Sequence, residues 1–137
     1  MSVNILNKPK NISKKILSDT AKAVFLFLKS DFEANIKFVT LDEIANFNKL
    51  YREKDCPTDV LSFKTEDDIS GGDIVVCPAF AHNPENKWKM GDVEIIQLLV
   101  VHGLLHLAGF DHENPNERAK MELAEKAIMA SLGIILE

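Results

Sequence analysis

Three of the four histidines of this chain, His102, His106 and His112, lie within one short segment. On a helix, His102 and His106 would lie one turn apart on the same face, close enough to bind the same metal ion. Gly109 can adopt the left-handed conformation that ends a helix, which lets the chain turn back so that His112 supplies a third nitrogen. Three imidazoles leave the fourth position of a tetrahedral site open for water, as in catalytic zinc sites. The spacing therefore predicts one zinc ion per chain, held by these histidines, and a hydrolase that works at that ion.

Each histidine also has an alternative interpretation, as a core residue whose ring nitrogens are hydrogen-bonded elsewhere. The joint spacing favours the metal site, because the segment is otherwise apolar and an unpaired buried imidazole is costly. Copper and nickel suit three imidazoles as well, so the donor set alone does not select zinc. His82 lies in a polar segment beside Pro84, and we expect it to be solvated and not to bind the metal.

The spacing H-x-x-x-H-x-x-G-x-x-H resembles that of the metzincin proteases in each histidine and in the glycine. One position differs, because Gly103 stands where those proteases carry the glutamate that acts as general base. Peptide hydrolysis therefore lacks its usual catalyst. A reaction with a better leaving group, or one assisted by another residue or by the substrate, remains compatible with the site.

The segment that carries His102 and His106 predicts a helix over 92–107 that is apolar almost all round and must therefore be buried. Thr40 and Glu43 form a capping box at the start of another helix. The remaining patterns predict strands at 2–6, 35–40, 60–63 and 73–77, helices at 12–28, 40–51 and 115–132, and a loop at 79–90. The apolar run at 74–76 is typical of a central strand covered on both faces. We expect an α+β fold with a single domain, residues 1–137, in which a small mixed β-sheet packs with helices around a buried central metal-binding helix.

The composition is that of an ordinary globular domain, with 137 residues, 46% of them hydrophobic and 27% charged. The net charge of -5 argues against a protein coated in basic surface for a phosphate backbone. Basic residues nevertheless concentrate in residues 1–54, which hold ten of the 16 Lys and Arg residues. The lysines that would form a patch for an anionic partner, or simply a solvated helix face, are Lys8, Lys10, Lys14, Lys15, Lys22 and Lys29.

Residues 1–10 show neither an apolar leader region nor a cleavage site, and no apolar run reaches the roughly 18–20 residues of a membrane span. We therefore expect a cytoplasmic protein without membrane contact. Cys56 and Cys77 stand apart from each other, without a C-x-x-C pair. We interpret both as reduced core thiols that do not bind the metal.

The segment from His102 to His112 reads H-G-L-L-H-L-A-G-F-D-H and resembles the hallmark H-G-x-L-H-L-x-G-Y/F-D-H of the YbeY family of bacterial endoribonucleases. Residues 48–63 resemble a second family block, N-x-x-Y/F-R-x-x-D-x-P-T-D-V-L-S-F. Gly72, Asp73 and Ile74 match a third block. The three blocks follow one another in the family's order, so the resemblance covers roughly residues 35–125.

This resemblance implies a mixed α+β domain with zinc on the three histidines and cleavage selective for single-stranded RNA. It further implies maturation of ribosomal RNA, chiefly the 3′ end of the small-subunit 16S RNA, and ribosome quality control. The implied partners are single-stranded RNA, ribosomal RNA and the small ribosomal subunit, with no DNA. The nucleophile stays open between metal-bound water and the 2′-hydroxyl of the RNA.

The family's functional arginine falls on Arg52, so the resemblance implies a catalytic set of Arg52, His102, His106 and His112. A guanidinium that faces the metal would grip a phosphate in a fork and stabilise charge that develops at phosphorus. Without the resemblance, the sequence predicts that Arg52 is a surface residue near a helix C-terminus, where a positive charge interacts favourably with the helix dipole.

Three carboxylates, Asp59, Asp73 and Asp111, lie next to the family blocks. We favour turn capping or support of a loop over acid–base catalysis for each, because Asp side chains often bond to turn backbones. Asp111 is also a candidate to orient a ligand histidine.

Two other functions compete with the ribonuclease. A ribosome-associated protein that keeps the metal for stability, with little catalysis, fits the acidic net charge and the missing general base. A metalloprotease-like hydrolase fits the histidine spacing and is opposed by Gly103.

Overall fold

A computed structural model describes residues 2–30, 32–52, 58–64, 71–82, 90–111 and 113–136, with only the backbone described for Ser2 and Arg52. The elements in chain order are β1 (Ser2–Leu6), α1 (Lys14–Leu28), β2 (Glu33–Phe38), α2 (Leu41–Arg52), β3 (Val60–Lys64), β4 (Gly72–Val76), α3 (Pro78–Ala81), α4 (Asp92–Leu107) and α5 (Pro115–Ser131). Each predicted strand and helix is present, with ends that differ by a few residues. The α+β class, the single domain and the small mixed sheet are confirmed.

The predicted loop at 79–90 is wrong in its first residues, where the chain forms the single-turn helix α3. Pro78 begins this helix and supplies a backbone already suited to a first helical turn. His82 N–H then donates to the carbonyl of Pro78 at 2.8 Å. One turn is too short to show helical periodicity, so the sequence pattern did not reveal it.

The sheet has the strand order β1-β2-β4-β3. β1, β2 and β4 are parallel, and β3 pairs antiparallel with β4 at the edge. β4 is thus an interior strand, and Ile74, Val75 and Val76 are buried. The prediction of a central strand covered on both faces is confirmed.

Alternate residues of the sheet pack into two separate cores. On one face, Ile36 and Ile74 belong to the main core, which also includes buried residues of α1, α4 and α5. On the other face, Val75 belongs to a smaller core with Ile44 of α2 and Leu61 of β3. This alternation follows from the two-residue period of strands.

The helix α4 is buried along most of its length, as its apolar pattern predicts. Its buried residues are Ile95, Ile96, Gln97, Leu98, Leu99, Val100, Val101, Gly103, Leu104, Leu105 and Leu107. Each large apolar side chain contributes roughly 1.5–3 kcal/mol when fully buried. The helix backbone beneath His102 and His106 is therefore held firmly against the sheet.

Local signals set the ends of the helices near the histidines. Gly109 has φ 103, a left-handed value that favours glycine, and its N–H donates to the carbonyl of His106 at 3.0 Å. Asn114 then caps α5, because its side-chain oxygen accepts from the N–H of Glu117 at 2.9 Å. The capping box of α2 is confirmed by reciprocal hydrogen bonds between Thr40 and Glu43.

Cys77 is buried as a free thiol, as predicted, and its burial raises the pKa of that thiol above the usual value. Cys56 lies outside the described residues. Among the parts of the chain that the structure describes, no helix is long and apolar enough to cross a membrane.

Candidate functional site

The imidazoles of His102 and His106 lie side by side on α4, as their spacing predicts. Their ring centroids are 4.8 Å apart and the ring planes meet at 74°. Both side chains are half-buried, on a helix whose neighbouring residues are buried. Zinc–nitrogen bonds are about 2.0–2.1 Å long, so two ligand rings must approach each other closely. The pair therefore fits one half of a tetrahedral metal site.

A carboxylate from a different helix contacts this pair. Oε2 of Glu125, on α5, lies 3.1 Å from Nδ1 of His102. The side chains of Glu125 and His102 are 14% and 24% exposed, so the contact is largely shielded from water. Such a contact orients an imidazole for metal binding through its other nitrogen.

Sequence reasoning missed Glu125, although α5 carries a signal. Glu125 follows Met121 by four residues and precedes Ile128 by three, and both of those apolar residues are buried. It therefore lies on the apolar stripe of α5, where a carboxylate needs a partner. The histidine motif alone does not indicate which helix supplies that partner.

Gly103 packs against the sheet, which explains why no larger residue occupies this position. A Cβ atom at Gly103 would lie 2.8 Å from Cγ2 of Ile74, closer than real Cβ contacts allow. The hydroxyl of Ser62 on β3 also donates to the carbonyl of Gly103 at 3.1 Å. A glutamate at this position would meet β4, so the general base of the metzincins is replaced here by a close contact between helix and sheet.

The two longer sequence motifs meet at the edge strand β3. Ser62 contacts Gly103, next to His102, on one face of the sheet. On the opposite face, Phe63 packs against Tyr51, near the end of α2, with ring centroids 5.1 Å apart. The strand therefore links the end of α2 to the histidine helix.

Two predicted site residues lie wholly or partly outside the part of the chain that the structure describes. His112 lies outside the described residues. Arg52 is the last residue of α2, and its side chain is not described. Within the described part of the chain, no group of three or more His, Cys, Asp or Glu side chains is placed to hold a metal ion. The third nitrogen and the guanidinium therefore stay predictions.

The carboxylates beside the motifs have different surroundings. Asp73 accepts a hydrogen bond from Asn35 at 2.8 Å, across two paired strands. It precedes Ile74 on β4 and so projects to the face opposite Gly103, which makes it neither a turn cap nor a neighbour of the histidines. The backbone carbonyl of Asp59 accepts from Cys77 at 2.8 Å and supports the end of β4. Asp111 is half-buried just after α4, and its orienting role stays a prediction.

His82 is not simply solvated, which corrects the expectation from the sequence. Its Nε2 lies 3.2 Å from the backbone oxygen of Asp92, and the imidazole is 23% exposed. Asp92 is the first residue of α4, roughly 15 Å along the helix from His102 at 1.5 Å per residue. His82 thus tethers α3 to the start of α4, which supports its exclusion from the metal site.

The N-terminal lysines do not share one environment. The amino group of Lys8 donates to the carbonyl of Ile12 at 2.7 Å, and Lys15 pairs with Asp19 at 2.9 Å. The side chains of Lys10, Lys14, Lys22 and Lys29 are exposed. A basic patch for an anionic partner stays a prediction.

Comparisons with known proteins agree on one family. The sequence profile described as Endoribonuclease YbeY matches residues 3–133. The chain is similar to curated proteins named Endoribonuclease YbeY from Francisella tularensis subsp. holarctica. It is 40% identical to that of strain FTNF002-00 / FTA over 114 residues, which are 77% of this chain and 70% of the relative. For strain LVS the identity is also 40%, over 77% of this chain and 68% of the relative.

The fold is also similar to a solution structure from Thermotoga maritima. The TM-score is 0.66 and the sequence identity 28%, and the match covers 96% of this chain and 91% of the other. The overall arrangement of strands and helices is therefore shared with a solved protein.

Proposed function

This chain belongs to the Endoribonuclease YbeY family, and we propose on that basis that it cleaves single-stranded RNA as a zinc-dependent hydrolase. The proposed role is processing of ribosomal RNA in the cytoplasm, at the 3′ end of 16S RNA, together with ribosome quality control. The small ribosomal subunit is the proposed partner. The observation that carries the proposal is the half-buried pair of His102 and His106, with Glu125 on the first ring.

The donor set suits a zinc ion. His102 and His106 are close and mutually inclined, and Glu125 contacts the one nitrogen of His102 that faces α5. His112 is the proposed third ligand. A zinc ion held there would act as a Lewis acid that polarises a phosphate oxygen and lowers the pKa of a water molecule.

The chain's own residues bind and orient the phosphate in this proposal. Arg52 is proposed to grip the scissile phosphate with two parallel hydrogen bonds and to stabilise charge in the transition state. The Tyr51–Phe63 contact holds the end of α2 against β3, the edge strand whose other face contacts Gly103. The role of Arg52 itself is supported by the match of its position to the family's functional arginine. Both water and the RNA 2′-hydroxyl are compatible as nucleophile. A 2′,3′-cyclic phosphate product would identify the 2′-hydroxyl.

The test is a paired assay with metal-free and zinc-restored protein on a single-stranded RNA, the same RNA as a duplex, and an unstructured protein. We expect cleavage of the single strand alone, only after zinc is restored. His106→Ala should abolish both cleavage and stoichiometric zinc. His82→Ala is the matched control, since it also removes a half-buried imidazole near α4 and should retain both. Cleavage of the unstructured protein would favour a metalloprotease instead.

A ribosome-associated protein with little catalysis is the second candidate. Gly103 favours it, because its contact with Ile74 leaves no room for a glutamate base at that position. Equal traces of RNA cleavage in wild-type protein and in folded His106→Ala protein would support this alternative, since such traces would not depend on the metal site.

A further inference from the structure

The His102 ring is held from outside its own helix. Its Nδ1 lies 3.1 Å from Oε2 of Glu125, and both side chains are mostly buried. A carboxylate oxygen accepts hydrogen bonds, so this contact favours the tautomer of His102 with the ring hydrogen on Nδ1. A neutral imidazole with its hydrogen on Nδ1 presents the lone pair of Nε2 for a metal ion.

We propose that Glu125 is a positioning residue of the metal centre, which fixes the tautomer and the orientation of His102 so that Nε2 meets the metal ion. The inference rests on the metal site of the proposed function and adds to it a residue outside the histidine motif. Partners of this kind also raise the basicity of the ligand ring.

The packing of α5 fixes the backbone position of Glu125. The helix α5 is capped by Asn114, and Met121 and Ile128 on either side of Glu125 are 1% exposed. Because the carboxylate sits on a packed helix, it is held near His102 without the entropic cost of ordering a mobile side chain. Gly103 and Ser62 hold the helix that carries His102 against the sheet. The sheet contact thus fixes the helix backbone, and Glu125 contacts the His102 ring.

A purely structural ion pair would show the same distance, so the test must separate the two roles. The zinc dissociation constant of the full chain is measured by competition with a chelator for wild-type protein, Glu125→Ala, Glu125→Gln and Glu122→Ala. Glu122→Ala is the matched control, because Glu122 is an exposed glutamate on the same helix and its loss changes the net charge equally. The second readout is the tautomer of His102 in metal-free protein, from ¹⁵N chemical shifts assigned with single histidine variants.

We expect Glu125→Ala to weaken zinc binding by about 10–100-fold, the usual effect of removing such a partner. Glu125→Gln should lose less, since its amide oxygen still accepts from Nδ1, and Glu122→Ala should bind like the wild type. His102 should be the Nδ1–H tautomer in wild-type protein and lose that preference in Glu125→Ala.

Several outcomes would overturn the inference. One is zinc affinity in folded Glu125→Ala equal to that of Glu122→Ala, even if the apo protein melts at a lower temperature. If Glu125→Ala does not fold, Glu125→Leu replaces it, because leucine fills similar space without an acceptor oxygen. Wild-type zinc affinity with an unchanged His102 tautomer in that variant would overturn the inference. Wild-type protein that binds no zinc would overturn both proposals. Zinc binding that depends on Glu125 without any RNA cleavage would overturn only the ribonuclease.

Discussion

A histidine–carboxylate contact lies at each end of α4, and the two contacts differ in distance and exposure. At the start of the helix, Nε2 of His82 lies 3.9 Å from the carboxylate of Asp92, which is 66% exposed. Toward the end, Nδ1 of His102 lies 3.1 Å from the carboxylate of Glu125, which is 14% exposed. The imidazoles are almost equally exposed, at 23% and 24%. The two contacts therefore differ in the exposure of their carboxylates and not in that of their imidazoles.

The free energy that a histidine–carboxylate contact contributes therefore depends on how far the carboxylate is buried. The Asp92 side chain is largely exposed to solvent, where an ion pair contributes between nothing and about 1 kcal/mol to the free energy of folding. The Glu125 side chain is only 14% exposed, on a helix packed into the core, where a hydrogen bond is electrostatically stronger than in water. Only the second contact can hold a ring in the orientation that a metal ligand needs.

The largest expected effect is on RNA cleavage, at Arg52. Arg52→Ala should lose most RNA cleavage, about 3–4 kcal/mol of transition-state stabilisation, because it removes the proposed phosphate clamp. The fold and the bound zinc should be retained. Arg52→Lys should recover only part of the rate, since an ammonium keeps the charge without the two-pronged contact. The measurement is the cleavage rate on one single-stranded RNA at fixed salt. A wild-type rate in zinc-loaded Arg52→Ala would remove Arg52 from the mechanism.

The next largest expected effect is on stability, and it differs between Gly103 within α4 and Gly91 at its start. Gly103→Ala should destabilise the protein by about 1–3 kcal/mol, because the added methyl group overlaps Ile74. Gly91→Ala is the control. A Cβ there meets only Oε1 of Glu94, at 3.3 Å, so the expected loss is the smaller one of about 0.5–1 kcal/mol for alanine as an N-cap in place of glycine. Chemical denaturation of both variants gives the two free energies of unfolding. Equal values would show that the tight packing at Gly103 is not needed for stability.

A smaller effect is expected at Ser62, which bonds to the carbonyl of Gly103. Ser62→Ala should cost about 0.5–1.5 kcal/mol of stability, the net value of one hydrogen bond. Thermal unfolding with and without zinc checks this value. A loss confined to the zinc-loaded protein would mean that Ser62 acts on the metal site and not on the attachment of the helix.

The smallest effect is expected at the exposed contact. Asp92→Asn should change stability by only about 0.3–1 kcal/mol, chiefly through the charge near the helix N-terminus. Zinc affinity should stay at the wild-type value, in contrast to Glu125→Ala. Weaker zinc binding in Asp92→Asn would contradict the division between the two ends of α4.

Local patterns in the sequence were sufficient for the strands and longer helices and for the spacing of His102 and His106. Helical periodicity alone places His102 and His106 one turn apart, and the apolar surroundings of α4 require its burial. Likewise, the uninterrupted run at 74–76 requires an interior strand. The capping box joins Thr40 and Glu43, which are only three residues apart. The positive φ of Gly109 ends the helix at that same position. Such features depend on neighbours in the chain, so they can be recognised without the fold.

Contacts between residues far apart in the chain follow from the tertiary fold. Glu125 is 23 residues from His102 in sequence, and Ser62 is 41 residues from Gly103, so no local period connects either pair. The contact between Gly103 and Ile74 likewise depends on how the helix lies on the sheet. The sequence determines that two imidazoles share a helix face, because that geometry repeats every turn. The packing of α4 between β3, β4 and α5 determines which groups hold those imidazoles, because that choice depends on the whole core.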